Sequence, residues 1–116
     1  MEPTRNLDTL PPAKAWIIVH GGPNDNAMLR LRRKDLTIGH DPNKADLVLD
    51  DKSISGEHLR IKPDGDHYIV ADLASRNGTM VNGQTIRQVH LNDGDVIRIG
   101  HTVLVYKYIA AHTGRA

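Results

Sequence analysis

Residues 75–83 read Ser-Arg-Asn-Gly-Thr-Met-Val-Asn-Gly, with two Asn-Gly pairs separated only by Thr79, Met80 and Val81. Asn-Gly is the dipeptide that best accepts positive φ, and the turns that need it reverse a strand within two residues. The spacing predicts a very short strand from Thr79 to Val81, entered through a sharp loop at Asn77-Gly78 and left through a hairpin tip at Asn82-Gly83. A chain that turns this often is built from short strands.

The same texture extends in both directions. From Trp16 onward, short runs rich in β-branched residues are bounded by Gly, Pro, Asn and Asp: WIIVHG, AMLRLR, LTIG, LVL, HLRIK, HYIVADL, TMVNG, VHL, DVIRIG and TVLVYKYI. Such runs, with turn signals every 8 to 12 residues or so, indicate a β-sandwich or barrel. No segment carries a helical period with caps. The alternation places Ile17, Val19, Leu29, Leu31, Ile38, Leu47, Leu49, Leu59, Ile61, Ile69, Leu73, Val81, Ile97, Ile99, Val103 and Val105 in the core, and Trp16 at the sandwich edge.

A length of 116 residues fits one such core and leaves no room for a second. Residues 1–14, with Pro3, Pro11 and Pro12, read as a flexible arm carrying Thr4 and Thr9; residues 15–110 read as the folded domain and 111–116 as a short tail. If phosphorylated, the arm's threonines are long-reaching enough to fold back over the domain. The chain has no cysteine, which removes disulfides and thiolate metal sites and fits a reducing compartment. No apolar run approaches the roughly 20 residues of a membrane helix, and the polar start does not resemble a signal peptide, so a cytoplasmic protein without membrane association is expected. Fifteen basic against 14 acidic residues, with no phenylalanine, argue against nucleic-acid binding, which calls for a basic face and stacking rings.

Catalytic and metal chemistry find little support. Ser55 and His58 have the residue types of a nucleophile and its base but lack a strand-to-helix elbow, so no enzyme is expected. The seven histidines form no tight ligand motif, and the Asp-Gly segments KPDGDHY and LNDGDV lack the further ligands of a calcium loop. They read as hairpin turns, and neither a metal nor a cofactor is expected.

Taken in order, LTIGH (36–40), ADLVLDD (45–51), SISGEHLRI (53–61), YIVADLASRNGTMVNG (68–83) and LNDGDVIRIG (91–100) resemble a forkhead-associated (FHA) domain across residues 28–106. The most specific features are Ser55 with His58, the run Ser75 to Thr79, Asn82-Gly83 and Gly94-Asp95. The resemblance implies an all-β, eleven-stranded β-sandwich whose loops at one end bind a phosphothreonine peptide in an extended conformation. It implies that Ser55 donates its hydroxyl to the phosphate, that Arg76 lies against the phosphothreonine and that Asn77 holds the peptide main chain. Gly39, His58 and Gly78 match positions that shape and brace those loops, and Asn82 one that supports them or reaches the peptide. The partner implied is a phosphothreonine-containing protein, such as a serine/threonine kinase or its substrate, and the role that of a signalling adaptor.

Two positions depart from the family. His40 follows Gly39 where an arginine is usual, and Gly56 follows Ser55 where a long polar side chain is usual. Both belong to the candidate phosphopeptide-binding set of His40, Ser55, Gly56, Arg76, Asn77 and Asn82. A guanidinium is permanently charged and grips two oxygens at once, which an imidazole does not. The departures leave open a second reading, a degenerate FHA domain that binds a protein partner without phosphate.

Overall fold

The computed structural model describes residues 13–110, and within them the short apolar runs pair into two sheets. The strands are β1 (Lys14–His20), β2 (Met28–Leu31), β3 (Leu36–Gly39), β4 (Leu47–Val48), β5 (Leu59–Asp64), β6 (His67–Asp72), β7 (Thr79–Val81), β8 (Gln84–Ile86), β9 (Gln88–His90), β10 (Val96–Ile99) and β11 (Thr102–Ile109). One sheet has the order β2-β1-β11-β10-β7-β8, the other β4-β3-β5-β6-β9. Pairing is antiparallel except for β3 with β4. Ile17, Val19, Ile97, Ile99, Leu104 and Tyr106 face inward from the first sheet and meet Ile38, Leu59, Ile61, Tyr68 and Val70 of the second, all buried. This is the face-to-face sandwich that alternating strands produce.

Both Asn-Gly expectations appear in the backbone. Asn82 and Gly83 have φ of 51° and 84° and join β7 to β8 as a two-residue turn, the positive-φ pair that matches strand twist. Gly78, with φ of 83°, closes the loop that leads into β7. Each run quoted from the sequence falls in a strand. β8 has no counterpart among those runs, because Gln84-Thr85-Ile86 is polar and mostly exposed; the hairpin turn, not hydrophobicity, lays it against β7.

Three expectations are corrected. β6 and β11 present the opposite phase: Tyr68 and Val70 point inward rather than Ile69, and Leu104 and Tyr106 rather than Val103 and Val105. These strands are apolar on both faces, so alternation carries no phase, and pairing decides it: Leu104 lies opposite Val19 and Ile97, both buried. Trp16 is not at an edge, since β1 lies between β2 and β11; it sits half-buried on the outer surface of its sheet with the Arg30 guanidinium 5.4 Å from its ring centroid. Leu29 and Leu47 are partly buried against the core, and Leu73 is half-buried. The arm call lies outside the described residues apart from its last two, and there Lys14 already pairs with Ile109 in β1 and β11. Thr4, Thr9 and residues 111–116 lie outside the described residues.

Tyr106 is fully buried, and its hydroxyl finds no hydrogen-bond partner among the described residues. A buried hydroxyl without a partner costs roughly 1 to 3 kcal/mol. Tyr106→Phe keeps the ring and removes that cost, so urea unfolding is expected to show a gain of about 1 kcal/mol. A loss of similar size would mean that the hydroxyl has a partner.

Candidate functional site

His58 begins the construction of the loop end. It is fully buried, and its position is fixed by its backbone N–H donating to the Ile38 carbonyl and its carbonyl accepting from Leu73 N–H. Its ring then links two loops: Nδ1 accepts from the Ser55 N–H at 3.0 Å, and Nε2 lies 2.8 Å from the Gly78 carbonyl. Nδ1 is an acceptor here, so the proton sits on Nε2 and donates to Gly78. The β4–β5 loop and the β6–β7 loop are thereby held to one imidazole, the bracing role that the resemblance gave to His58.

Gly39 and Gly78 act by different means. A Cβ on Gly39 would lie 1.9 Å from the Gly56 carbonyl oxygen, so only glycine lets β3 and the β4–β5 loop come this close. That approach aligns two backbone bonds, His40 N–H to the Ser55 carbonyl and Asp41 N–H to the Gly56 carbonyl. Gly78 meets nothing within 4 Å, and its positive φ is what requires glycine.

Two carboxylates that sequence inspection passed over hold the remaining joints. Asp72 accepts from the backbone N–H and hydroxyl of Ser75 and from the Thr79 hydroxyl, while the Ser75 hydroxyl oxygen accepts from Gly78 N–H. Asp51 accepts from the backbone N–H and hydroxyl of Ser53, from His101 N–H and from the Thr102 hydroxyl, tying the β4–β5 loop to the β10–β11 turn. At that joint Gly100 has φ of 55°, and a Cβ on it would lie 2.3 Å from Ser53 Oγ. Burial pushes both carboxyls up, but the hydrogen bonds from Ser75 and Thr79, and from Ser53, Thr102 and His101, outweigh it and hold both below the ordinary carboxylate range. The sequence signal was present in the spacings Asp51-x-Ser53 and Asp72-x-x-Ser75, which suit local side-chain-to-backbone bonds.

On this frame Ser55, Arg76 and Asn77 converge. The Ser55 hydroxyl oxygen accepts from Arg76 N–H at 3.0 Å, which leaves the hydroxyl proton free to donate outward. Arg76 and Asn77 are exposed; one Arg76 nitrogen donates to the Lys52 carbonyl and Asn77 Nδ2 to the Ser53 carbonyl. Those bonds orient both side chains and leave most guanidinium protons, the Asn77 carboxamide oxygen and one Asn77 amide proton uncommitted. His40 is half-buried beside Ser55 with Nδ1 3.0 Å from the Leu49 carbonyl, so Nε2 is its remaining nitrogen. Gly56 adds no side chain. An open groove of about 330 Å³ continues from Ser53, Asn77 and Gly78 past Met80, Arg98, Gly100 and His101; its outer residues were not anticipated.

Asn82 is placed elsewhere. It stands at the far end of β7 from Gly78, with Nδ2 donating to Asp95 and Oδ1 accepting from Val96 N–H. Its carboxamide fastens the β7–β8 turn to β10, so of the two roles implied for it, the structure builds support and not a place in the loop cluster.

Comparison with known proteins identifies the family. A profile of the FHA domain matches residues 36–100, and the chain belongs to the FHA domain family. It is 35% identical over 100 residues to the oxoglutarate dehydrogenase inhibitor of Corynebacterium jeikeium, covering 86% of this chain and 69% of that protein. It is 32% identical to the glycogen accumulation regulator GarA of Mycobacterium tuberculosis, covering 86% of this chain and 61% of that one. A solved FHA domain with phosphothreonine-dependent interactions superposes with a TM-score of 0.75 at 34% identity, covering 81% of this chain and 95% of the other. The curated relatives are named as an inhibitor and a regulator, and the family is one of binding modules. Among the described residues no helix is long and apolar enough to cross a membrane.

The depressed carboxyls make the loop frame sensitive to acid. A carboxyl whose pKa falls on folding stabilises the fold above its unfolded value of about 3.9, and that contribution is lost as pH falls through the folded value. Asp51→Asn and Asp72→Asn are therefore expected to melt below the wild type at pH 7, with the gap narrowing as pH drops below about 4. Calorimetric melting curves from pH 7 to pH 2 check this; a gap independent of pH would assign the loss to shape and not to charge.

Proposed function

We propose that the loop end of this sandwich binds phosphothreonine-containing segments of protein partners in an extended conformation, and that the domain serves as a regulatory adaptor in serine/threonine kinase signalling. The observation that carries this is the convergence of Ser55, Arg76 and Asn77 on one frame, where bonds to Lys52 and Ser53 orient the exposed Arg76 and Asn77 and leave further donors uncommitted among the described residues. A phosphothreonine brings about −1.5 to −2 charges and three acceptor oxygens, and its receptor needs such converging donors. Ser55 supplies a hydroxyl proton and Arg76 a permanent charge. Asn77 can satisfy both a main-chain N–H and a main-chain carbonyl of an extended segment. Of the loop carboxylates, Asp51 and Asp72 are turned inward and occupied by hydrogen bonds, whereas Glu57 stands exposed two residues from Ser55. Residues beside the phosphothreonine enter the groove of Met80, Arg98 and His101.

The regulatory part of the proposal draws on the relatives, which are named for inhibition and regulation. Their matched segment is 61% to 69% of their length, so their own targets are not carried over.

A lost hydrogen bond to a charged group costs roughly 1.5 to 3 kcal/mol. Ser55→Ala and Asn77→Ala are each expected to weaken binding of a phosphothreonine peptide about tenfold or more. Titration calorimetry on phosphorylated and unphosphorylated forms of one peptide checks this, and equal affinity for the two forms would replace the proposal with phosphate-independent binding. The His40 departure gives a separate expectation: at pH 8, His40→Arg should tighten phosphopeptide binding about tenfold by adding a permanent charge-assisted bond. No change would place residue 40 out of reach of the phosphate.

A further inference from the structure

The outer surface of the six-stranded sheet carries a continuous apolar row. Cross-strand register sets Met28, Ile18, Val105 and Val96 side by side across four strands, each directly opposite the next. Val103 and Met80 flank Arg98 in the adjoining row. Met28 is 59% and Val96 41% exposed, although both sit on well-paired strands. The charged residues at outward positions of this sheet are Lys14, Arg30, Arg98 and Lys107, with His20 beside them and no carboxylate among them. Asp93, from the turn before β10, reaches Lys107 at 3.8 Å; Arg30 lies over Trp16 and its Nε has no hydrogen-bond partner among the described residues.

This surface is continuous with the groove beside Asn77. Met80 and Arg98 line that groove and also a hollow of about 350 Å³ with Gly83, Val96 and Val103. A segment leaving the groove therefore runs straight onto the apolar row. We infer that the outer face of the six-stranded sheet is a second docking surface for the phosphorylated partner, taking an acidic, apolar segment that flanks the phosphothreonine. The inference rests on the phosphothreonine reading of the loop end. Apolar side chains would cover Val96, Val105, Ile18 and Met28, and carboxylates would meet the cationic rim. Strands about 4.8 Å apart make the row about 14 Å long, which four or five extended residues span. A second copy of this chain is disfavoured as the occupant, because an isologous contact brings a cationic face against itself.

The test uses a pool of phosphothreonine peptides whose flanking positions are randomised among Leu, Val, Asp, Glu, Ser and Lys, with a short alanine-flanked phosphopeptide as control. The wild type is expected to enrich apolar and acidic residues on one flank and to bind enriched peptides about tenfold more tightly than the control. Met28→Glu with Val96→Glu, both at exposed positions, should abolish the enrichment and leave binding of the control unchanged. Equal enrichment by both proteins, or none by the wild type, would overturn the inference while the control still binds. If the control fails to bind but enriched peptides bind with or without phosphate, the phosphothreonine reading falls and the docking surface stands. A dimer in sedimentation that the double variant abolishes would assign the face to a second copy and overturn the inference.

Discussion

The buried imidazole of His58 lies between two loops, and each of its ring nitrogens holds a backbone group of one of them. Because the ring has no water to fall back on, leaving either nitrogen unpaired would carry the full cost of a buried polar group. The β4–β5 and β6–β7 loops are therefore fixed relative to each other, and Ser55 and Arg76 come close enough for the backbone of one to bond the hydroxyl of the other. The glycines and carboxylates around this ring extend the same constraint outward: Gly39 lets β3 approach, Asp72 shapes the β6–β7 loop, and Asp51 anchors the β4–β5 loop to the β10–β11 turn. The exposed donors are positioned by the hydrogen-bonded groups behind them.

Much of this was legible in the sequence, for identifiable reasons. Turn chemistry is local, so the two Asn-Gly pairs announced both the loop before β7 and the hairpin after it. Ser55, His58, Arg76 and Asn77 stand in a run whose order resembles the family. Asp51 and Asp72 escaped notice because an aspartate that closes a loop looks, in sequence, like any solvated aspartate. For Asn82 the resemblance left two roles open, supporting the loops or reaching the peptide, and no local pattern in the sequence announces that its carboxamide bonds Asp95 and Val96 at the end of β7 away from Gly78.

The error of phase in β11 concerns the outer face of the six-stranded sheet. Val103 and Val105 were expected inside because β11 is apolar on both faces, and a strand of that kind has no preferred side by alternation alone. Pairing with β1 and β10 turned Leu104 and Tyr106 inward and left the valines on an outer face shared with Ile18, Val96 and Met28. What blurred the core assignment is thus an apolar row outside the core. The acidic residues are gathered elsewhere, mostly in turns and loops, where several of them close hydrogen-bonded joints.

The most direct measurement is nitrogen NMR of the His58 ring in the free domain and in the domain saturated with a phosphothreonine peptide. The account requires a single neutral tautomer in both states, with Nδ1 unprotonated and Nε2 carrying the proton that it donates to Gly78. A ring protonated on Nδ1, or one that changes tautomer when the peptide binds, would contradict the claim that this imidazole sets the loops in place before any ligand arrives.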